Sequence, residues 1–160
     1  MAEIGLVRVD SRLLHGQVVT RWIGQVDASE VIIFDDDLSQ DEFMIEVFKM
    51  AAPNDVKLIV RGVNDIEDTL NGRELKHTII LFKNIPMLLK GMKANTKIEK
   101  VQIGGIGGGP ERVVVFKNIT LTKNEYNDLQ NLASEGIRIY LQTVPEEKEV
   151  SLKDIENKFK

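Results

Sequence analysis

Asp10, Arg12 and His15 lie within six residues of one another, in the run Asp10-Ser11-Arg12-Leu13-Leu14-His15-Gly16-Gln17. An imidazole nitrogen is a nucleophile when the other ring nitrogen has its proton fixed, and Asp10 is a carboxylate able to accept that proton's hydrogen bond. Arg12 adds a permanent charge with a planar fork that can hold two oxygens of a phosphoryl group. Gly16 permits close backbone approach, and Gly16 and Gln17 can offer backbone N–H groups to an anion. These types suit phosphoryl transfer through a histidine. The residues alone leave a plainer reading open, in which His15 is an ordinary loop residue and Arg12 simply pairs with Asp10.

Three further features invite chemistry. Asp35-Asp36-Asp37 is an acidic trio of the kind that can hold Mg²⁺ in a phosphatase or receiver-like domain. It also suits a solvated turn that starts a helix. GGIGGGP (104–110) resembles a nucleotide loop, but a G-x-G-x-x-G frame begun at Gly105 ends on Pro110. The stretch is read instead as a flexible loop bordering the site. His77, far from His15, is expected to be structural or exposed, and two separated histidines argue against a multi-histidine metal site. No cofactor and no metal is expected.

These residues must be positioned by a scaffold, and its elements are legible. LVRV (6–9), VIIF (31–34), VKLIV (56–60), TIILF (78–82), KVQIG (100–104) and IRIYLQTV (137–144) read as strands, several apolar without alternation, as strands covered on both faces are. RVVVF (112–116) and NITL (118–121) add one or two more. Ser39 with Glu42, and Thr122 with Glu125, form capping boxes, with Leu38–Phe43 and Leu121–Tyr126 as hydrophobic staples. Asn64 with Glu67 and Ser151 with Asp154 are weaker versions. Gly72 and Gly136 mark helix ends. Val18, Val19, Trp22, Ile23 and Val26 form one stripe at helical spacing. Repeated β–α units predict an α/β fold with a mostly parallel central sheet of about seven strands and helices on both faces. Its working site should lie at the carboxyl ends of the strands, where His15 follows the first strand at the head of a helix.

The 160 residues fit one domain spanning 1–160, with 42% hydrophobic and 29% charged residues. A net charge of -4 without a Lys/Arg cluster speaks against a nucleic-acid binder. The absence of cysteine fits a reducing, cytoplasmic setting. Neither a signal peptide nor an 18-residue apolar run is present, so any membrane role is expected to come through a partner.

The segment RVDSRLLHGQVVTRW (8–22) closely resembles the signature of the mannose/fructose/sorbose-class IIB subunits of bacterial sugar phosphotransferase systems. The likeness continues through LFKN (81–84), VQIGG (101–105), NITLTKNE (118–125) and TVPEE (143–147). Ser11 departs from the Asp often found there, and the glycine run is longer than in the family pattern. The resemblance implies a cytoplasmic phosphocarrier, a protein-histidine–sugar phosphotransferase. His15 would take a phosphoryl group from phosphorylated IIA and pass it to a sugar at the IIC/IID membrane permease. Arg12 and Asp10 would support it, with Gly16 and Gln17 as phosphoryl-binding backbone. A homo-oligomer is compatible with this picture.

Overall fold

The structure is a computed structural model describing residues 3–16, 18–94 and 97–160. The described residues form nine strands: β1 Leu6–Asp10, β2 Glu30–Phe34, β3 Lys57–Arg61, β4 Thr78–Phe82, β5 Lys100–Gly105, β6 Val113–Phe116, β7 Ile119–Leu121, β8 Arg138–Leu141 and β9 Val150–Ser151. Seven make one sheet in the order β3-β2-β4-β1-β5-β8-β9, parallel except for β9, and β6 and β7 pair as a separate hairpin.

The helices are α1 Ile23–Val26, continuing a π-helical turn over Val18–Trp22, then α2 Glu42–Ala51, α3 Ile66–Leu70, α4 Ile85–Lys93 and α5 Lys123–Ser134. A 3-10 segment, Lys153–Phe159, closes the chain. Right-handed crossovers dictate where they lie. The steps from β1 to β2 and from β2 to β3 move one way along the sheet, and their helices cover one face. There Val18, Trp22, Ile23 and Leu38 pack on Leu6, Val31, Ile33, Ile79 and Leu81. The later steps move the other way, so α3, α4 and α5 cover the opposite face, with Ile66, Leu88 and Leu129 against Val9, Ile32, Ile80 and Ile103.

The division has a consequence for β5 and β8. Their apolar residues Val101, Ile103, Ile139 and Leu141 all belong to the core beneath α3–α5. The alternate positions, facing as Leu6 does, are Gln102, Gly104, Tyr140 and Gln142. Here the sheet buries polar groups, and Arg8 of β1 joins them in register with Gln102 and, beyond it, Tyr140.

Helix starts agree with the sequence in part. Thr122 and Glu125 form the full reciprocal box, with Leu121 and Tyr126 both buried. Ser151 and Asp154 exchange bonds of 3.2 and 3.0 Å at the final 3-10 segment. The Ser39–Glu42 box is not formed: α2 is capped by Asp41, whose carboxylate accepts the Met44 N–H, and Ser39 lies in a preceding 3-10 turn. Asp41 displaces Ser39 because that extra turn pushes the helix start along. Phe43 is consequently 76% exposed and makes no staple with Leu38. Asn64 likewise falls within a 3-10 turn, and α3 has no side-chain cap. Gly72 and Gly136 take the positive φ of 71° and 95° expected where helices stop.

Candidate functional site

From β1 the sequence connects back toward β2, while from β5 it proceeds outward toward β8. The crevice between the carboxyl ends of β1 and β5 is therefore the switch point of the sheet, where parallel α/β folds place ligands. Asp10 is the last residue of β1, and its register against Gly105 is shifted after Val9 by an irregularity. The Ser11 N–H still donates to the Gly105 carbonyl at 2.8 Å, tying the loop to the neighbouring strand.

The loop that follows is built to present His15. Its turn is closed by the Leu13 N–H donating to the Asp10 carbonyl at 2.9 Å, and the Arg12 N–H donates to Asp10 Oδ1 at 3.1 Å. Leu13 has φ of 57°, a left-handed conformation that costs a leucine about 1–2 kcal/mol. Burial of Leu13 and Leu14 in the core beneath the first helix offsets that strain. With the two leucines plugged inward, His15 emerges at the head of the helix, and its carbonyl accepts the Val19 N–H at 2.9 Å. The helix then runs as a π turn through Trp22, a geometry often found at working sites.

His15 Nε2 lies 2.8 Å from Asp10 Oδ2, with the imidazole only 12% exposed and the carboxylate 2%. Asp10 meets its counter-charge from below. Arg8 donates to Oδ2 from Nε at 3.2 Å and from an η nitrogen at 3.0 Å. The rest of that guanidinium is satisfied by Gln102 Oε1 at 2.5 Å and the carbonyls of Gln142 and Thr143 at 3.2 and 3.3 Å. Trp22 lies against it, 5.5 Å from ring centroid to Cζ, and donates its own indole N–H to the Thr143 carbonyl at 3.0 Å. Burial alone would raise the Asp10 carboxyl, but the His15 bond and the Arg8 charge outweigh it and hold the carboxyl below its ordinary value. Burial lowers the Arg8 guanidinium, with Asp10 opposing.

The sequence-derived residues fall as follows. Asp10 and His15 are joined directly. Arg12 is on the same loop with its side chain exposed, and its guanidinium is not Asp10's counter-charge. Gly16 is exposed at the helix start, with open space where a Cβ would stand. Gln17 lies outside the described residues. Arg8 is the residue the motif reading passed over. Its signal was present: a charge in the middle of a strand otherwise buried requires a partner, and period-two alternation puts Asp10 on its face.

The glycine run needs correcting at its start. Gly104 ends the strand read over 100–104, but β5 runs one residue further, so Gly105 is strand and not loop, and both glycines are pressed against the site. A Cβ on Gly105 would lie 3.4 Å from each Asp10 carboxylate oxygen. Only the later glycines, 107–109, belong to an exposed connection toward β6.

Two carboxylates of the acidic trio are committed to the fold. Asp35 is buried and accepts the Leu38 N–H at 2.8 Å. Asp36 accepts the Val63 N–H at 3.0 Å and pairs with Lys90 at 2.8 Å, while Asp37 is exposed. Among the described residues no group of His, Cys, Asp or Glu is arranged to hold a metal ion. His77 is half exposed, with Nδ1 3.0 Å from the Asp27 carbonyl.

His15, hydrogen-bonded to Asp10, thus stands at a switch point of a parallel sheet covered by helices on both faces. Residues 4–160 match the family model for the sorbose-subfamily IIB component of the phosphotransferase system (PTS). The fructose-specific EIIB component of Bacillus subtilis is 27% identical over 91% of this chain and 90% of its own length. The mannose-specific EIIAB component of Escherichia coli is 25% identical over 98% of this chain and 49% of its own length. The crystal structure of manxB from Thermoanaerobacter tengcongensis superposes with a TM-score of 0.88 at 32% identity, covering 99% of this chain and 98% of that one. The chain belongs to the sorbose-subfamily IIB components of the phosphotransferase system. Components of this kind are phosphotransferases of sugar transport. Among the described residues no helix is long and apolar enough to cross a membrane.

Proposed function

We propose that this IIB component is a cytoplasmic phosphocarrier that accepts a phosphoryl group on His15 from phosphorylated IIA and delivers it to a sugar at the IIC/IID permease. The observation that carries the reading is the 2.8 Å contact between His15 Nε2 and Asp10 Oδ2 at the head of the first helix. Because Nε2 donates to Asp10, the accepting nitrogen is Nδ1. Its lone pair forms the new N–P bond as the bond between phosphorus and the donor's histidine breaks, and the electrons of that bond return to the donor ring. Asp10 offsets the positive charge that develops on the His15 ring. Onward transfer reverses the roles: a sugar hydroxyl attacks phosphorus, neutral imidazole departs with Nε2–H still held, and the hydroxyl proton passes to an oxygen of the new sugar phosphate, which leaves as its monoanion.

Such a dispersed, in-line transition state asks mainly for positioning and for donors at the phosphoryl oxygens. The Arg12 guanidinium and the helix N-terminus beginning at Gly16 supply them. The name of the mannose-specific EIIAB relative, of which this chain covers about half, supports a IIA partner. His15 stands at the head of the helix with its imidazole 12% exposed, shielded by the loop yet reachable from solvent, which suits two partners docking in turn.

Incubation with purified phospho-IIA followed by intact-mass measurement tests the reading. Wild type should gain one phosphoryl group and His15→Ala none. That variant should lose about 1.5–3 kcal/mol of stability, the worth of one hydrogen bond to a charged group, and still fold. A phosphorylated peak persisting in folded His15→Ala would remove His15 from the reaction.

A further inference from the structure

We propose that Arg8 is a positioning residue for phosphoryl transfer, its buried guanidinium keeping Asp10 ionised and aimed at Nε2 so that His15 presents Nδ1 to its donor. This rests on the phosphocarrier reading and assigns a role to a residue lying outside the reacting pair. Arg8 is 1% exposed, so it neither touches a docking partner nor reaches a phosphoryl group on the surface. A buried arginine is expensive unless every donor is met. Here one carboxylate, one amide oxygen and two carbonyls from β1, β5 and the segment after β8 meet it.

The surroundings make a dedicated slot. Gly104 has no side chain where Arg8 lies, and Trp22 closes the other side. Thr143, whose carbonyl receives both Arg8 and Trp22, is fixed in turn by Glu147, which accepts its N–H at 2.9 Å and its hydroxyl at 2.6 Å. Among the described residues, Arg8 on β1 and Arg12 on the loop are the cations that meet Asp10, the latter through its backbone N–H; Tyr140 on β8 lies in register beyond Gln102, and Glu147, paired with Lys117, holds Thr143. Burial pushes the Tyr140 hydroxyl up to about 12, with Glu149 adding to the rise, so it stays neutral. Arg8 is the one of these whose charge contacts the Asp10 carboxylate oxygen that faces His15.

Removing a positive charge raises the affinity of a nearby group for protons. Arg8→Met should therefore shift the acid limb of phosphotransfer from phospho-IIA upward by about one pH unit or more. Arg8→Lys keeps the charge but loses the fork, so it should keep the limb near its wild-type position while slowing transfer. A purely structural arginine would lower the amount of active protein without moving the limb. Should Arg8→Met not fold, NMR titration of unphosphorylated wild type decides the matter, using the Asp10 carboxyl carbon and the His15 ring nitrogens. The expected result is a carboxyl titrating below its ordinary range and a neutral ring carrying its proton on Nε2. An unmoved acid limb in folded Arg8→Met, or a ring protonated on Nδ1, would overturn the proposal. The titration needs no phosphoryl donor, so its outcome stands apart from whether His15 is phosphorylated at all.

Discussion

Arg8 and Gly104 share one volume: a Cβ built on Gly104 would lie 2.0 Å from the Arg8 guanidinium carbon and 2.4 Å from two of its nitrogens. The glycine is needed for this room and not for an unusual backbone, since its φ is not positive.

Gly104→Ala should therefore act as a lesion of Arg8. Overpacking at a fully enclosed position typically costs about 1–3 kcal/mol, and the guanidinium must leave its carboxylate to relieve it. A denaturant midpoint lowered to that extent, together with slowed phosphorylation of His15, is the expected pairing. Wild-type stability would show that Arg8 has another place to go.

Arg12 differs from Arg8 in carrying an exposed side chain whose only bond to Asp10 is through the backbone N–H. Arg12→Ala should leave the denaturant midpoint unchanged while lowering the transfer rate from phospho-IIA by on the order of 10²–10³, the effect of losing one preorganised electrostatic donor. Arg12→Lys should recover only part of it, because an ammonium cannot hold two phosphoryl oxygens in one plane. Unchanged kinetics in the alanine variant would reduce Arg12 to a surface residue.

Asp36 and Asp37 separate a metal-free transfer from a metal-assisted one. With phospho-IIA isolated beforehand, the step should run at full rate in excess EDTA. The Asp36→Asn/Asp37→Asn double variant should also transfer normally. Its stability should fall by no more than about 1 kcal/mol, because the Lys90 pair it loses is largely exposed. Inhibition by EDTA reversed by Mg²⁺ would place an ion in the mechanism.

Glu147 should set part of the acid stability. Burial alone would raise its carboxyl, but Lys117 and the Thr143 and Val144 donors dominate and bring it down to about 2 from the ordinary 4.5. A carboxyl depressed in the folded state stabilises above its unfolded value and loses that contribution as pH falls toward the folded one. The loss should fall between pH 4.5 and about 2 and amount to on the order of 2–3 kcal/mol. Glu147→Gln should flatten the fall in urea midpoint over that window. An identical acid profile in wild type and variant would show that the clamp on Thr143 contributes nothing through its charge.

Local patterns determined most of the scaffold. Unbroken apolar runs such as Ile79–Phe82 imply burial on both faces, and the Thr122–Glu125 box needs only neighbours three residues apart to form. The Asp10–His15 bond was legible for the same reason, since five residues separate its partners and one turn closes the gap. Where two local signals competed, nearby context decided: Asp41 and Ser39 both suit a cap, and the 3-10 turn before α2 gave the place to Asp41. The chemistry of Arg8 is of another kind. Its donors reach Gln102, Gln142 and Thr143, between 94 and 135 residues away, and its room comes from Gly104. No window of sequence contains those partners. They meet only because β1, β5 and β8 align in register, leaving a polar strip of sheet on which a buried charge can be fully paired.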